Sequence, residues 1–187
     1  KWFGVKGDGA TNDQPILQST IDYVASIGGG TLYAPKESYL LQGLAGLEWK
    51  TKVSLKGDGE SKTIFTVDGS FNNGGIIYAT DYAENGTDGS NPLAWLVDCH
   101  FSDFTLDGAG FTDTVPTVYS KGFYLRYVEN STFKNVTVKN TIGTGFGSDY
   151  LKNVLFYNCT ANNCGRLWDG VTGNILGQSG FGIGGGS

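Results

Sequence analysis

The chain has 187 residues, of which 39% are hydrophobic, 13% aromatic and 17% charged, enough for one domain with a real core. Thirty glycines with only four prolines argue against collagen and against a disordered Pro/Gly tract. A net charge of −5 with 13 scattered Lys and Arg leaves no basic footprint for nucleic acid or an anionic membrane surface, and no apolar run is long enough for a membrane helix.

The first element is an amphipathic helix over residues 13–27. Its apolar positions Ile16, Leu17, Ile21, Val24 and Ile27 recur at spacings of three and four, Asp13 precedes Pro15 as a cap, and three glycines follow. Short strands come next at 31–34, 39–41, 53–55 and 63–67, separated by turn chemistry such as Gly57-Asp58-Gly59, and from there the chain reads as all-β. Gly7-Asp8-Gly9 precedes the helix but lacks the rest of a phosphate-loop signature, so it reads as a tight turn.

An internal repeat is the most informative feature. Shifted by 23 residues, 122–140 overlays 145–163 with identities at Gly122/Gly145, Phe123/Phe146, Tyr127/Tyr150, Asn130/Asn153, Phe133/Phe156, Asn135/Asn158, Thr137/Thr160 and Asn140/Asn163. Residues 101–106 match 133–138 at a shift of 32, and Gly180-Phe181 matches Gly145-Phe146 at a shift of 35, which places insertions at 107–120 and 166–178. Short alternating strands at such a period predict a parallel β-solenoid whose coils stack about 4.8 Å apart. Phe101, Phe133 and Phe156 should then form an inward ladder, with Phe104, Val136 and Cys159 as a second row. Asp103, Asn135 and Asn158 should share an interior corner, which leaves no room for glycans at two of the four Asn-x-Ser/Thr sequons, at Asn85, Asn130, Asn135 and Asn158.

The helix is the expected cap of the first coil (residues 1–30), with coils over 31–187 in one domain. Ser187 falls in mid-repeat, so later coils are expected beyond it, and any export signal is expected outside this chain. Cys99, Cys159 and Cys164 form no CxxC pair and His100 is the only histidine, so buried free thiols are expected rather than a zinc site or a catalytic triad.

The opening resembles the pectate-lyase-like superfamily of right-handed parallel β-helices, in the branch of phage tailspikes and polysaccharide-modifying enzymes. The resemblance rests on Phe3–Asp13 (FGVKGDGATND), the helix with Ile21-Asp22, GGGTLYAP at 28–35, Tyr39-Leu40, and VSLKGDG at 53–59. It implies an all-β, right-handed parallel β-helix with a capping helix and a lateral groove in which acids, bases and sometimes calcium sit on neighbouring coils. Where alginate epimerases of that superfamily carry a Tyr-Gly-Phe-Asp-Pro-His-like motif, this chain has Thr144-Gly145-Phe146-Gly147-Ser148-Asp149, a departure that argues against alginate-type chemistry; polygalacturonase signatures are absent too.

The candidate catalytic residues are therefore carboxylates: Asp149, Asp107 and Asp169. The 23-residue shift sets Arg126 against Asp149 on the next coil, as a surface ion pair or as two walls of a glycan groove. Asp103 and Asp107 face one side by alternation, and Asp107-Gly108 is either a turn or half of a catalytic pair. In the second insertion, Arg166, Trp168 and Asp169 offer a stacking ring and hydrogen bonds to sugar hydroxyls, or Trp168 folds back as a plug. Tyr82, Glu84 and Asp88 form a polar loop without a motif. The resemblance implies a phage tail spike or fibre module that recognises, and in an active form depolymerises, a bacterial surface polysaccharide, on the virion tail or extracellular and as a homotrimer. The rivals are a secreted polysaccharide lyase, hydrolase or epimerase, and a non-catalytic structural or adhesin module. No cofactor is called for by a motif; calcium would accompany a uronate.

Overall fold

A computed structural model describes residues 2–69, 71, 74–79, 95–112, 120–165 and 179–184. After a 3-10 turn at Trp2–Gly4 come β1 (Asp8–Asn12), α1 (Gln14–Ser26), β2 (Gly30–Tyr33), β3 (Ser38–Gln42), β4 (Leu47–Glu48), β5 (Val53–Lys56), β6 (Ile64–Asp68) and β7 (Gly75–Ala79). They are followed by β8 (Leu96–Val97), β9 (His100–Asp107), β10 (Lys121–Lys139), β11 (Phe146–Tyr157), β12 (Thr160–Asn162) and β13 (Phe181–Gly184). Every strand pair is parallel, and each strand pairs with the strand one coil away. The result is the parallel β-solenoid expected from the repeat, right-handed as the resemblance implied.

The coil has three faces, each filled by its own inward ladder. One runs Leu47, Ile77, Phe123, Phe146, Phe181 through β4, β7, β10, β11 and β13. A second runs Leu32, Leu55, Phe101, Phe133, Phe156 through β2, β5, β9, β10 and β11. The third runs Tyr39, Phe65, Leu106, Val138, Ala161. Phe133 stacks between Phe101 at 4.9 Å and Phe156 at 4.6 Å, and edges onto Phe123 at 5.2 Å. Phe104 and Val136 are in register and fully buried, as the repeat demands.

Corners fall where the backbone turns left-handed. Asp103, Asn135 and Asn158 have φ of 64°, 51° and 50°, a region Asx residues tolerate better than most others. Asn135 Nδ2 donates to Asp103 Oδ1 (2.8 Å) and Asn158 Nδ2 to Asn135 Oδ1 (2.9 Å). A parallel ladder links Asn163, Asn140 and Asp107. The expected corner is real, but it is a rim and not an interior: Asn158 is exposed and Asn135 half-buried, so only the engaged amides argue against glycosylation there.

Helix α1 lays Ile21 and Val24 over the first coil as a cap, while Ile27 projects into solvent. Asp13 sits at the N-cap position yet caps nothing with its side chain. Its buried carboxylate instead accepts from the Lys6 and Gly7 N–H groups (2.7 and 2.9 Å), tying down the preceding loop. The Gly7-Asp8-Gly9 turn is closed by Asp8, which accepts from the Ala10 and Thr11 N–H groups; these bonds hold its carboxyl down to about 2. Gly29 ends the helix at φ +105°, and a Cβ there would lie 2.4 Å from the Lys52 carbonyl.

The thiols are all free, but only Cys99 is buried. Cys159 and Cys164 lie on the coil of β11 and β12, where among the described residues no further strand covers them; each Sγ rests on a carbonyl of the coil below.

Candidate functional site

A cavity of about 510 Å³ lies between α1 and the first coil and is lined by apolar groups such as Leu17, Ile21, Leu32, Trp49 and Phe65. It carries no charged group and belongs to the packing of the cap. The chemistry gathers elsewhere, in a groove of about 440 Å³ on the outer surface of the β7–β10–β11–β13 face.

The groove follows from alternation. With Phe123, Phe146 and Phe181 pointing inward, the neighbouring outward column is Tyr78, Tyr124, Gly147, Gly182, in which two rings give way to two glycines. The next outward column is Arg126, Asp149, Gly184. A Cβ added at Gly147 would lie 3.1 Å from Lys121 Cδ and 3.6 Å from its Nζ, so the missing side chain is what lets the lysine lie across the groove floor. Asp149 Oδ1 similarly occupies space that a Cβ at Gly184 would claim at 2.5 Å. The Lys121 ammonium is 4.3 Å from the Tyr124 ring centroid, a cation–π contact, and Thr144 completes the wall.

Burial holds the Lys121 ammonium below the usual lysine range, and the Asp149 carboxylate offsets part of that shift. Ser148 is 2% exposed, shares the groove lining, and its Oγ has no hydrogen-bond partner among the described residues. The site thus offers a desolvated cation, a carboxylate, an aromatic face and hydroxyls on successive coils.

Of the residues singled out in the sequence, Asp149 and Arg126 meet in register as expected. Arg126 also lies over Tyr127, 5.8 Å from its ring centroid. Asp107 is elsewhere, beside Lys139 at the far end of β10. It accepts from Asn140 Nδ2 (2.9 Å) and the Ala109 N–H (3.0 Å) and pairs with Lys139 Nζ (3.1 Å). Asp103 sits at a different corner from Asp107, in the ladder with Asn135, so each carboxylate is tied into its own ladder. Asp169, Arg166 and Trp168, and Tyr82, Glu84 and Asp88, lie outside the described residues. Lys121 escaped the repeat because the identities begin at Gly122. The signal for it was the column rather than the strand, a Tyr124-to-Gly147 change one coil above a lysine.

Among the described residues no group of three or more His, Cys, Asp and Glu converges as a metal site.

The chain is 30% identical over 192 residues to mannuronan C5-epimerase AlgE1 of Azotobacter vinelandii, a match covering 89% of this chain and 14% of the epimerase. It is 30% identical over 152 residues to plasmin and fibronectin-binding protein A of Streptococcus pneumoniae, covering 75% of this chain and 20% of that protein. The chain therefore spans a small part of the curated relatives it matches. The tailspike protein of E. coli bacteriophage HK620, solved in complex with a pentasaccharide, superimposes with a TM-score of 0.59 at 20% identity, over 81% of this chain and 26% of the tailspike. Residues 1–120 match the family described as rhamnogalacturonase A/epimerase, pectate lyase-like. With the capped parallel coil and that match over most of its length, the chain belongs to the rhamnogalacturonase A/epimerase family of pectate-lyase-like proteins.

Proposed function

We propose that this chain is the polysaccharide-recognising β-helix of a phage tail spike or fibre, and that an acidic bacterial surface polysaccharide lies along the Lys121 groove. The observation that carries this is the partly desolvated Lys121 lying over Gly147, beside Asp149 and Tyr124, in a trough open at the lateral face. A buried ammonium is costly unless an anion meets it, and a sugar carboxylate is an anion of the right size for this site. The Tyr124 face suits a pyranose ring, while Arg126 and Thr144 suit its hydroxyls. The likeness to the HK620 tailspike supports the reading at the level of the fold. As a spike the module would be a homotrimer on the virion tail, with the polysaccharide as its partner.

Depolymerisation by hydrolysis requires a second carboxylate about 5–10 Å from the first. In this reading Asp149 is one of the pair, and Asp169 is the proposed partner, with Arg166 and Trp168 as further sugar contacts; Asp107 is committed to its own corner. A second reading, a secreted lyase, hydrolase or epimerase, is favoured by the similarity to mannuronan C5-epimerase AlgE1. Abstraction of a proton beside a uronate carboxylate needs a base poised near neutrality and a cation to neutralise the carboxylate. In that reading Lys121 and Arg126 are the cations beside the uronate carboxylate, on the strands that also carry Asp149 and Tyr124. Calcium would enter with a uronate polymer.

The test is retention and cleavage of a panel of capsular, teichoic and uronate polysaccharides by wild-type protein and Lys121→Met. Retention of acidic polymers that is lost in the variant supports the groove. New ultraviolet absorbance of unsaturated products would move the assignment to a lyase, and chain shortening without absorbance to a hydrolase. Equal retention by wild type and variant would overturn the site.

A further inference from the structure

The second face of the coil carries an arrangement that the Lys121 groove does not use. Outward of the Leu32–Leu55–Phe101–Phe133–Phe156 ladder, the column one residue on is Tyr33, Lys56, Ser102, Lys134, Tyr157, one residue from each of five successive coils. Tyr33 is 61% and Tyr157 59% exposed, both lysines are exposed, and Ser102 between them is half-buried. At about 4.8 Å per strand, the lysines stand about 10 Å apart and the tyrosines about 19 Å apart.

This strip differs from a bland solvated face in three ways. It contains no Asp or Glu in a chain of net charge −5, and the adjacent outward column on the same strands contributes His100 and Thr132 rather than acids. Among the described residues, neither lysine side chain forms an ion pair or hydrogen bond. The carboxylates nearest to the strip in sequence are already engaged: Asp58, two residues from Lys56, by the Tyr33 hydroxyl (2.6 Å) and the Lys36 N–H (2.9 Å), Asp103, next to Ser102, by Asn135, and Glu129, five residues from Lys134, by Lys152 (2.7 Å). Exposed aromatic rings, Tyr33 and Tyr157, flank the two lysines on the described coils.

We infer that this strip is a second binding surface, for an anionic polysaccharide chain running along the coil axis. One sugar ring of an extended chain is close in length to one strand step, so acidic groups on alternate sugars meet Lys56 and Lys134, an intervening hydroxyl meets Ser102, and rings stack on Tyr33 and Tyr157. Its face is separated from the Lys121 groove by the left-handed corner at Tyr127 and Asn130, so it stands on separate residues and holds polymer without chemistry.

The experiment is native gel retardation in polygalacturonate at several salt concentrations, with wild type, Lys56→Ser/Lys134→Ser, Tyr157→Ala and Lys121→Met, all full chains and all checked for unchanged melting. The expected result is a loss of retention of at least about tenfold in the double lysine variant, the loss of two charge-assisted contacts, with a shallower salt dependence. Tyr157→Ala should weaken retention without changing the salt slope. Wild-type retention by the double variant overturns the strip, and if Lys121→Met loses retention in the same gels the groove stands without it. The converse pattern leaves the strip and removes the groove. Equal retention in neutral dextran, or equal binding to polyglutamate, overturns the assignment to an acidic glycan.

Discussion

Replacing Asn135 by alanine tests the corner ladder at its centre. The side chain donates to Asp103 and accepts from Asn158, and its backbone is left-handed at φ 51°. Two hydrogen bonds at about 0.5–1.5 kcal/mol each, partly sheltered from water, account for about 1–3 kcal/mol. Placing an ordinary Cβ in the left-handed region adds about 1–2 kcal/mol. Asn135→Ala should therefore destabilise by about 2–5 kcal/mol. Asn135→Gly recovers the backbone part and leaves the lost bonds plus about 0.5–1 kcal/mol of extra chain entropy. Asn158→Ala is the control, since its backbone is left-handed too (φ 50°) and carries the same Cβ cost, but it breaks one bond only, at an exposed site where water replaces it. Urea denaturation followed by far-ultraviolet circular dichroism gives the three midpoints. Asn135→Ala should have the lowest midpoint, with Asn135→Gly and Asn158→Ala both above it. If Asn135→Ala cost no more than Asn158→Ala, the ladder would not be a cooperative support and the argument would fail.

Further outcomes are expected. Phe133→Ala removes a ring stacked on both sides and should cost about 3–5 kcal/mol, read in the same titration; a cost below about 1 kcal/mol would mean the ladder is not close-packed. Burial pushes the Cys99 thiol up to about 12, so Cys99→Ser should leave the number of thiols reacting with Ellman's reagent in the native protein unchanged, while lowering it by one after denaturation. Because burial lowers the Lys121 pKa, its charge is present below that value and lost as pH rises through it. Retention of acidic polymer in the groove should accordingly weaken on the alkaline side at a lower pH than an ordinary lysine would give, and Lys121→Met should flatten that limb of the profile.

The coil was legible because its geometry forces identities. Only a few residue types accept the left-handed corners, so Asn130, Asn135 and Asn140 recur as Asn153, Asn158 and Asn163, and the inward rings recur because each must lie on the ring below. The groove was less legible for the opposite reason. It is made where the repeat changes, with Tyr124 followed by Gly147 and Lys121 by Thr144, and matching finds likeness rather than difference. Asp13 misled because a cap position and a cap interaction are separable: the carboxylate at the helix start was claimed by the Lys6–Gly7 loop, a contact with no periodic signature. Alternation set Asp103 and Asp107 opposite the inward Phe104 and Leu106, but it could not tell that each carboxylate is claimed by a separate corner ladder.

The unequal coil lengths bear on how such a protein changes over evolutionary time. Phe123 lies 23 residues before its partner Phe146, and Phe146 lies 35 before Phe181, yet both pairs stack in the same way, at 5.5 and 4.5 Å. Loop closure costs grow only with the logarithm of length, so the longer circuit is disfavoured by about 0.4 kcal/mol relative to the shorter one. The scaffold is therefore nearly indifferent to what is inserted between its strands. New surface chemistry can be added at the corner of any coil while the stacked rings beneath it stay in register.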